Sequence, residues 1–94
     1  MIRINSPERG HRDKLDIIAD ILKASCGGAR KTHLMYHCNL SFRQLESYIK
    51  FLISKGLLRM VLIKKSQPVR LYETTDKGQE FLRTYRSLKA LIST

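Results

Sequence analysis

Ninety-four residues suffice for one compact domain and leave no room for a second independent core. With 43% hydrophobic and 28% charged residues, the chain is too apolar for intrinsic disorder and too polar for a membrane protein, and its longest apolar run, Leu57 to Ile63, is broken by Arg59. Eighteen Lys and Arg stand against eight Asp and Glu, a formal net charge of +10, which points to a polyanionic partner, either nucleic acid or an anionic surface.

Residues 1–11, with Pro7 and Gly10 and no periodicity, read as a flexible N-terminal arm. They contain no apolar signal-peptide core, so a cytoplasmic protein is expected. From Arg12 to about Ser25, Leu15, Ile18, Ile21 and Leu22 recur at helical spacing, with Asp13, Asp16 and Asp20 toward the N-terminal half, where the helix dipole favours acids. Cys26-Gly27-Gly28 ends this helix. A short second helix is expected from Lys31 to His37 or Cys38, with Leu34 and Met35 as its apolar residues. After the tight Asn39-Leu40 connection, Ser41 and Gln44 form a capping box that opens a third helix, running to about Lys55 and ending at Gly56. Its residues Leu45, Tyr48, Ile49, Leu52 and Ile53 make one buried face.

Beyond Gly56 the pattern changes to aliphatic and β-branched segments, Leu57 to Ile63 and Val69 to Thr74. Lys64-Lys65-Ser66-Gln67-Pro68 lies between them, so a hairpin with a basic tip is predicted. Thr75 can cap a last helix from Asp76, with Gly78 in its first turn. The fold class is mainly α with a small β-hairpin (α+β), in the order helix, helix, helix, hairpin, helix. This is the winged helix-turn-helix arrangement, in which the third helix is offered to the major groove of DNA and the hairpin to an adjacent groove or the backbone. The expected organisation is an arm over 1–11, the winged domain over 12–75, and a C-terminal helix over 76–94.

The charge is concentrated where this arrangement needs it. Residues 30–70 carry nine basic residues against Glu46 alone, a net of +8, whereas 1–29 and 71–94 are each +1. On a helical wheel of about 100° per residue, the face of the third helix opposite Leu45, Ile49 and Leu52 carries Arg43, Ser47, Lys50 and Ser54, with Gln44 to one side. Arg can reach guanine O6 and N7, Gln can pair with adenine, and Ser adapts to base edges or phosphate. Arg30, Lys31 and Thr32 open the second helix, where free N–H groups and cations suit a phosphate. Lys64, Lys65 and Arg70 are expected on the DNA backbone. The candidate DNA-binding residues are therefore Arg30, Lys31, Thr32, Ser41, Arg43, Gln44, Ser47, Lys50, Lys64, Lys65 and Arg70. Phe51, on the outer half of the third helix, is expected to pack against the hairpin rather than stack on a base.

His33, His37, Cys38 and Cys26 raise the question of a metal. Their spacing matches no common zinc module, and adjacent His37 and Cys38 diverge by about 100°. Cys38 therefore reads as a small buried residue, and neither a metal nor a Cys26–Cys38 disulfide is expected. There is no paired-carboxylate motif or nucleophile elbow, and Gly27-Gly28 lacks the Gly-Lys-Ser/Thr ending of a P-loop. Neither catalysis nor a cofactor or small-molecule ligand is expected.

Several short blocks look familiar in combination. Lys14-Leu15-Asp16-Ile17-Ile18 with Ile21-Leu22, Lys31-Thr32-His33-Leu34-Met35-Tyr36, Asn39-Leu40-Ser41-Phe42 with Leu45 and Tyr48, Lys55-Gly56-Leu57-Leu58, and Tyr72-Glu73-Thr74-Thr75-Asp76-Lys77-Gly78 with Phe81-Leu82 follow one another in order. Over roughly residues 12 to 85 the chain resembles a family of small archaeal winged helix-turn-helix proteins that includes ten-kilodalton chromatin proteins and many transcriptional regulators. The resemblance implies a DNA-binding winged helix that dimerises through its last helix, acting as a transcriptional regulator or a nucleoid-associated protein. Long-tailed members extend that helix into an antiparallel coiled coil, whereas here the sequence ends within about two turns of Tyr85. Phe81, Tyr85, Leu88 and Ile92 keep the four-three-four spacing of a coiled-coil seam, so a smaller homodimer is expected. The alternative is that Phe81, Leu82 and Tyr85 close the monomer core. A winged-helix module for protein or RNA contacts within a transcription complex is the other function considered.

Overall fold

The computed structural model describes residues 12–93, and the expected arm over 1–11 lies outside them. The elements follow the order α1 (Lys14–Ala24), α2 (Lys31–Cys38), α3 (Phe42–Ser54), β1 (Leu58–Ile63), β2 (Val69–Thr74) and α4 (Asp76–Ile92). The first helix starts two residues later than its apolar pattern suggests because Asp13 is its N-cap, its side chain accepting the Asp16 N–H at 2.9 Å. The Ser41–Gln44 capping box forms in full: the Gln44 N–H donates to Ser41 Oγ at 3.1 Å, and the Ser41 N–H donates to Gln44 Oε1 at 2.9 Å. Asn39, in the left-handed region at φ 55°, makes the α2–α3 turn tight, and the Leu40 N–H returns to the Met35 carbonyl at 3.0 Å.

β1 and β2 pair antiparallel from Leu58↔Thr74 to Ile63↔Val69. The expected first strand residue, Leu57, belongs instead to the end of α3, where its N–H reaches the Leu52 carbonyl at 2.9 Å after Gly56 turns at φ 74°. The hairpin is tied to the body by a one-residue bridge that has no periodicity to reveal it. Ala29, between α1 and α2, exchanges two backbone hydrogen bonds with Tyr72 at 3.0 and 2.8 Å. Beside it Thr74 Oγ1 donates to the Leu22 carbonyl at 2.6 Å.

All six elements contribute to one core or pack against it. Ile21 and Leu22 of α1, Leu34 of α2, Leu45 and Leu52 of α3, Leu58 of β1 and Leu82 of α4 are essentially inaccessible to solvent. Each such side chain contributes about 1.5–3 kcal/mol by leaving water. Gly78 seats α4 against this core. A Cβ there would collide with the Leu57 carbonyl oxygen and lie 2.6 Å from Thr74 Cγ2, so the residue is required by close approach and not merely tolerated near a helix start.

Candidate nucleic-acid interface

The outer face of α3 is built by exclusion. Leu45, Ile49 and Leu52 turn into the core, and helical phase leaves Arg43, Gln44, Ser47 and Lys50 exposed to solvent. Ser41 and Gln44 have local duties in the cap as well. The Gln44 carbonyl accepts the Ser41 N–H, and its amide NH₂ is the unengaged half of the side chain. Bidentate pairing with adenine uses both halves of the amide, so the cap competes with it for the carbonyl oxygen.

Arg30 is the N-cap of α2 and makes no side-chain capping bond. The first N–H groups of α2 therefore have no side-chain cap. Arg30, Lys31 and Thr32 line a cleft of about 340 Å³ with Gln67, Pro68, Val69 and Arg70. The fold thus brings the start of α2 and the base of the hairpin loop to one place, although about forty residues separate them in sequence. Lys64 and Lys65 lie exposed at the tip.

Lys31 differs from the other cations gathered here. Its ammonium donates to Glu46 Oε1 at 2.6 Å and lies 5.1 Å from the Phe42 ring centre and 5.9 Å from that of Tyr72. It ties α2 to α3 over the buried Tyr72 ring. The Glu46 carboxyl is held below the ordinary range, chiefly by the Lys31 hydrogen bond, with further attraction from Lys50 and Arg70. Arg59 is likewise engaged, with Glu73 directly across the hairpin at 3.0 Å. Among the described residues, Arg30, Arg43, Lys50, Lys55, Lys64, Lys65 and Arg70 have no ion-pair partner.

Phe51 is half-exposed. With Ile18 and Tyr48 it lines a hollow of about 520 Å³ on the α1 side of α3, together with Lys14, Arg43, Gln44 and Ser47. Lys14 lies outside the strongly basic segment 30–70, and a helical wheel of α3 alone does not include it. His33 and His37 stack on the exposed side of α2, ring centres 5.4 Å apart. Cys38 is buried, and burial pushes its thiol up to about 11.

The expected seam on α4 divides in two. Phe81 and Tyr85 are half-buried against the core of their own chain, and the Tyr85 hydroxyl donates to Asp16 Oδ1, which Lys89 also approaches at 3.3 Å. Leu88 and Ile92 are exposed, and so is Leu91, which the four-three-four pattern passes over although it is 78% accessible. No described helix is long and apolar enough to cross a membrane.

The model of the winged helix-turn-helix family matches residues 11–93. An uncharacterised protein of Methanocaldococcus jannaschii is 35% identical over 88 residues, covering 93% of this chain and 80% of that protein. Among solved structures, the fold is similar to Sso10a-2, a DNA-binding protein from Sulfolobus solfataricus, with a TM-score of 0.72 at 21% identity over 85% of this chain and 81% of the other. A PadR family transcriptional regulator from Eggerthella lenta superposes with a TM-score of 0.68 at 22% identity, over 81% and 73% of the two chains. The family match spans the helices, the hairpin and the final helix alike, and the chain belongs to the winged helix-turn-helix family.

Proposed function

We propose that this chain binds double-stranded DNA as a transcriptional regulator or nucleoid-associated protein in the cytoplasm. In this reading α3, with its cap from residue 41 to 55, enters the major groove. The basic hairpin loop over 64–70 tracks the backbone or the minor groove. The observation that carries the reading is the outer face of α3: Arg43, Gln44, Ser47 and Lys50 are exposed together, next to a hairpin whose loop cations have no carboxylate partner among the described residues. The fold's likeness to a DNA-binding protein and to a transcriptional regulator supports it.

The residues divide by role. Arg43 and Ser47 read base edges. Gln44, with its carbonyl in the cap, donates to acceptors such as guanine O6 or a purine N7. Arg30, Thr32, Lys50, Lys64, Lys65 and Arg70 hold phosphates, while Lys31 positions α2 beneath them. Leu88, Leu91 and Ile92, continued by the edges of Phe81 and Tyr85, form a homodimer contact through α4.

Fluorescence anisotropy with random-sequence duplex DNA, titrated at several salt concentrations, tests the reading. With about six phosphates engaged, log K falls against log salt with a slope near −5. Failure to bind duplex even at low salt overturns the reading, and preferential binding of an RNA or an acidic protein would put an interaction module in its place.

A further inference from the structure

The hollow between α1 and α3 combines a cationic rim with an apolar floor, and the proposed DNA contact leaves the floor unused. Its floor is apolar, made by Ile18, Tyr48 and the half-exposed Phe51, and its volume of about 520 Å³ lies in the range of small-molecule sites. Its rim is cationic. Lys14 comes from α1 and Arg43 from α3, and neither is ion-paired among the described residues. Among the described residues no Asp or Glu lines the hollow, while the Ser47 hydroxyl and the Gln44 amide supply hydrogen-bond donors. A phosphate would satisfy the cations and leave the aromatic floor wet. A neutral hydrocarbon would cover the floor and leave the cations unpaired. An aromatic ring bearing one carboxylate answers both demands.

We propose that this hollow binds a small aromatic carboxylate, its ring on Tyr48 and Phe51 and its anion facing Lys14 and Arg43, and that such a ligand competes with duplex DNA for Arg43, Gln44 and Ser47. The competition rests on the DNA reading above; the binding itself does not. A ligand seated here removes the face of α3 from DNA without any change of fold, so occupancy of the hollow and occupancy of an operator exclude one another.

The test is a titration of the isotopically labelled full chain with benzoate and 2-naphthoate, followed by amide NMR without DNA, with benzamide as the neutral counterpart. Dose-dependent shifts are expected at Ile18, Ser47 and Tyr48, with a dissociation constant of roughly a millimolar or tighter for 2-naphthoate. Benzamide should bind about tenfold more weakly than benzoate. Lys14→Gln, a change at an exposed residue, should weaken 2-naphthoate by up to about fivefold with thermal unfolding unchanged. At constant ionic strength, 2-naphthoate should also displace labelled duplex in the anisotropy assay. Equal binding of benzamide and benzoate, shifts scattered over exposed cations elsewhere, or no response well above a millimolar overturns the proposal, even where DNA binding is intact. Carboxylate binding in a chain that ignores DNA supports the site and removes only the competition.

Discussion

α3 and α4 each present an exposed face, and the two are opposite in character. On α3 the face is cationic and hydrogen-bonding, through Arg43, Gln44, Ser47 and Lys50. At the far end of α4 it is aliphatic, through Leu88, Leu91 and Ile92. A polar face gains nothing from meeting its own copy, because like charges repel, whereas an aliphatic stripe gains from any partner that removes it from water. This contrast underlies the proposal that α3 meets a polyanion and α4 a second copy of the chain. It also shows why the basic segment cannot be treated as a sum of charges. Lys31 and Arg59 have the same sequence signature as their neighbours, yet Glu46 and Glu73 hold them in the scaffold.

The contrast can be broken most forcefully at the root of α4. Gly78→Ala should destabilise the fold by about 3 kcal/mol in chemical denaturation, since the new methyl meets the Leu57 carbonyl and Thr74. Gly27→Ala, in open space at φ +88°, should cost about 1 kcal/mol through backbone strain alone. Equal losses in the two variants would mean that α4 is not seated by that contact.

Next in size are the changes on the cationic side. Arg43→Ala should lose about 1–3 kcal/mol at a single base position in a binding-site selection. Replacing Lys64 and Lys65 together should weaken all sequences alike and flatten the salt slope by about 1 to 2. If both variants merely scale affinity uniformly, the division between base reading and phosphate holding fails. On the apolar side, Leu91→Glu should weaken self-association by about tenfold or more in sedimentation equilibrium. Because Leu91 is so exposed, monomer stability should move by no more than about 0.5 kcal/mol.

The smallest effect concerns pH and the α1–α4 contact. The Tyr85 hydrogen bond and then Lys89 hold the Asp16 carboxyl below its ordinary value of 3.8. A carboxyl lowered by folding stabilises above its unfolded value, and that contribution is lost as pH falls through the folded one. Tyr85 is shifted the other way, first by burial and then by Asp16, so its contribution is present below the ordinary value of 10.0 and lost as pH rises past it. A stability plateau between roughly pH 4 and pH 10 is expected from this pair, and Tyr85→Phe should flatten its acid edge in denaturation measured across pH.

Much of the fold could be read from local rules. Ser41 and Gln44 marked the start of α3, Thr75 that of α4, and the periodic apolar residues marked the buried faces. Each of these signals spans about a dozen residues or fewer, the range over which caps and helical spacing act. What escaped depends on pairs brought together from far apart in the chain. A single bridging residue such as Ala29 has no periodicity, and nothing near Lys31 announces Glu46 fifteen residues on. The joining of Tyr85 to Asp16 spans 69 residues. Phe51 could be placed on the outer half of α3, but its neighbour across the gap belongs to α1, and a helical wheel drawn for one helix is blind to that.

The close seat at Gly78 gives the last helix a property that can be counted. Because its root has no slack, the bearing of its aliphatic tip relative to α3 is set by the number of residues between them. One inserted residue would swing Leu88, Leu91 and Ile92 by about 100° and carry them about 1.5 Å further out. Seven inserted residues would restore nearly the same bearing, about 10 Å away. Evolution can therefore lengthen or shorten this helix only in near-heptad steps if the stripe is to keep facing the same way, so in the proposed dimer the distance between the two copies of α3 would come in discrete sizes.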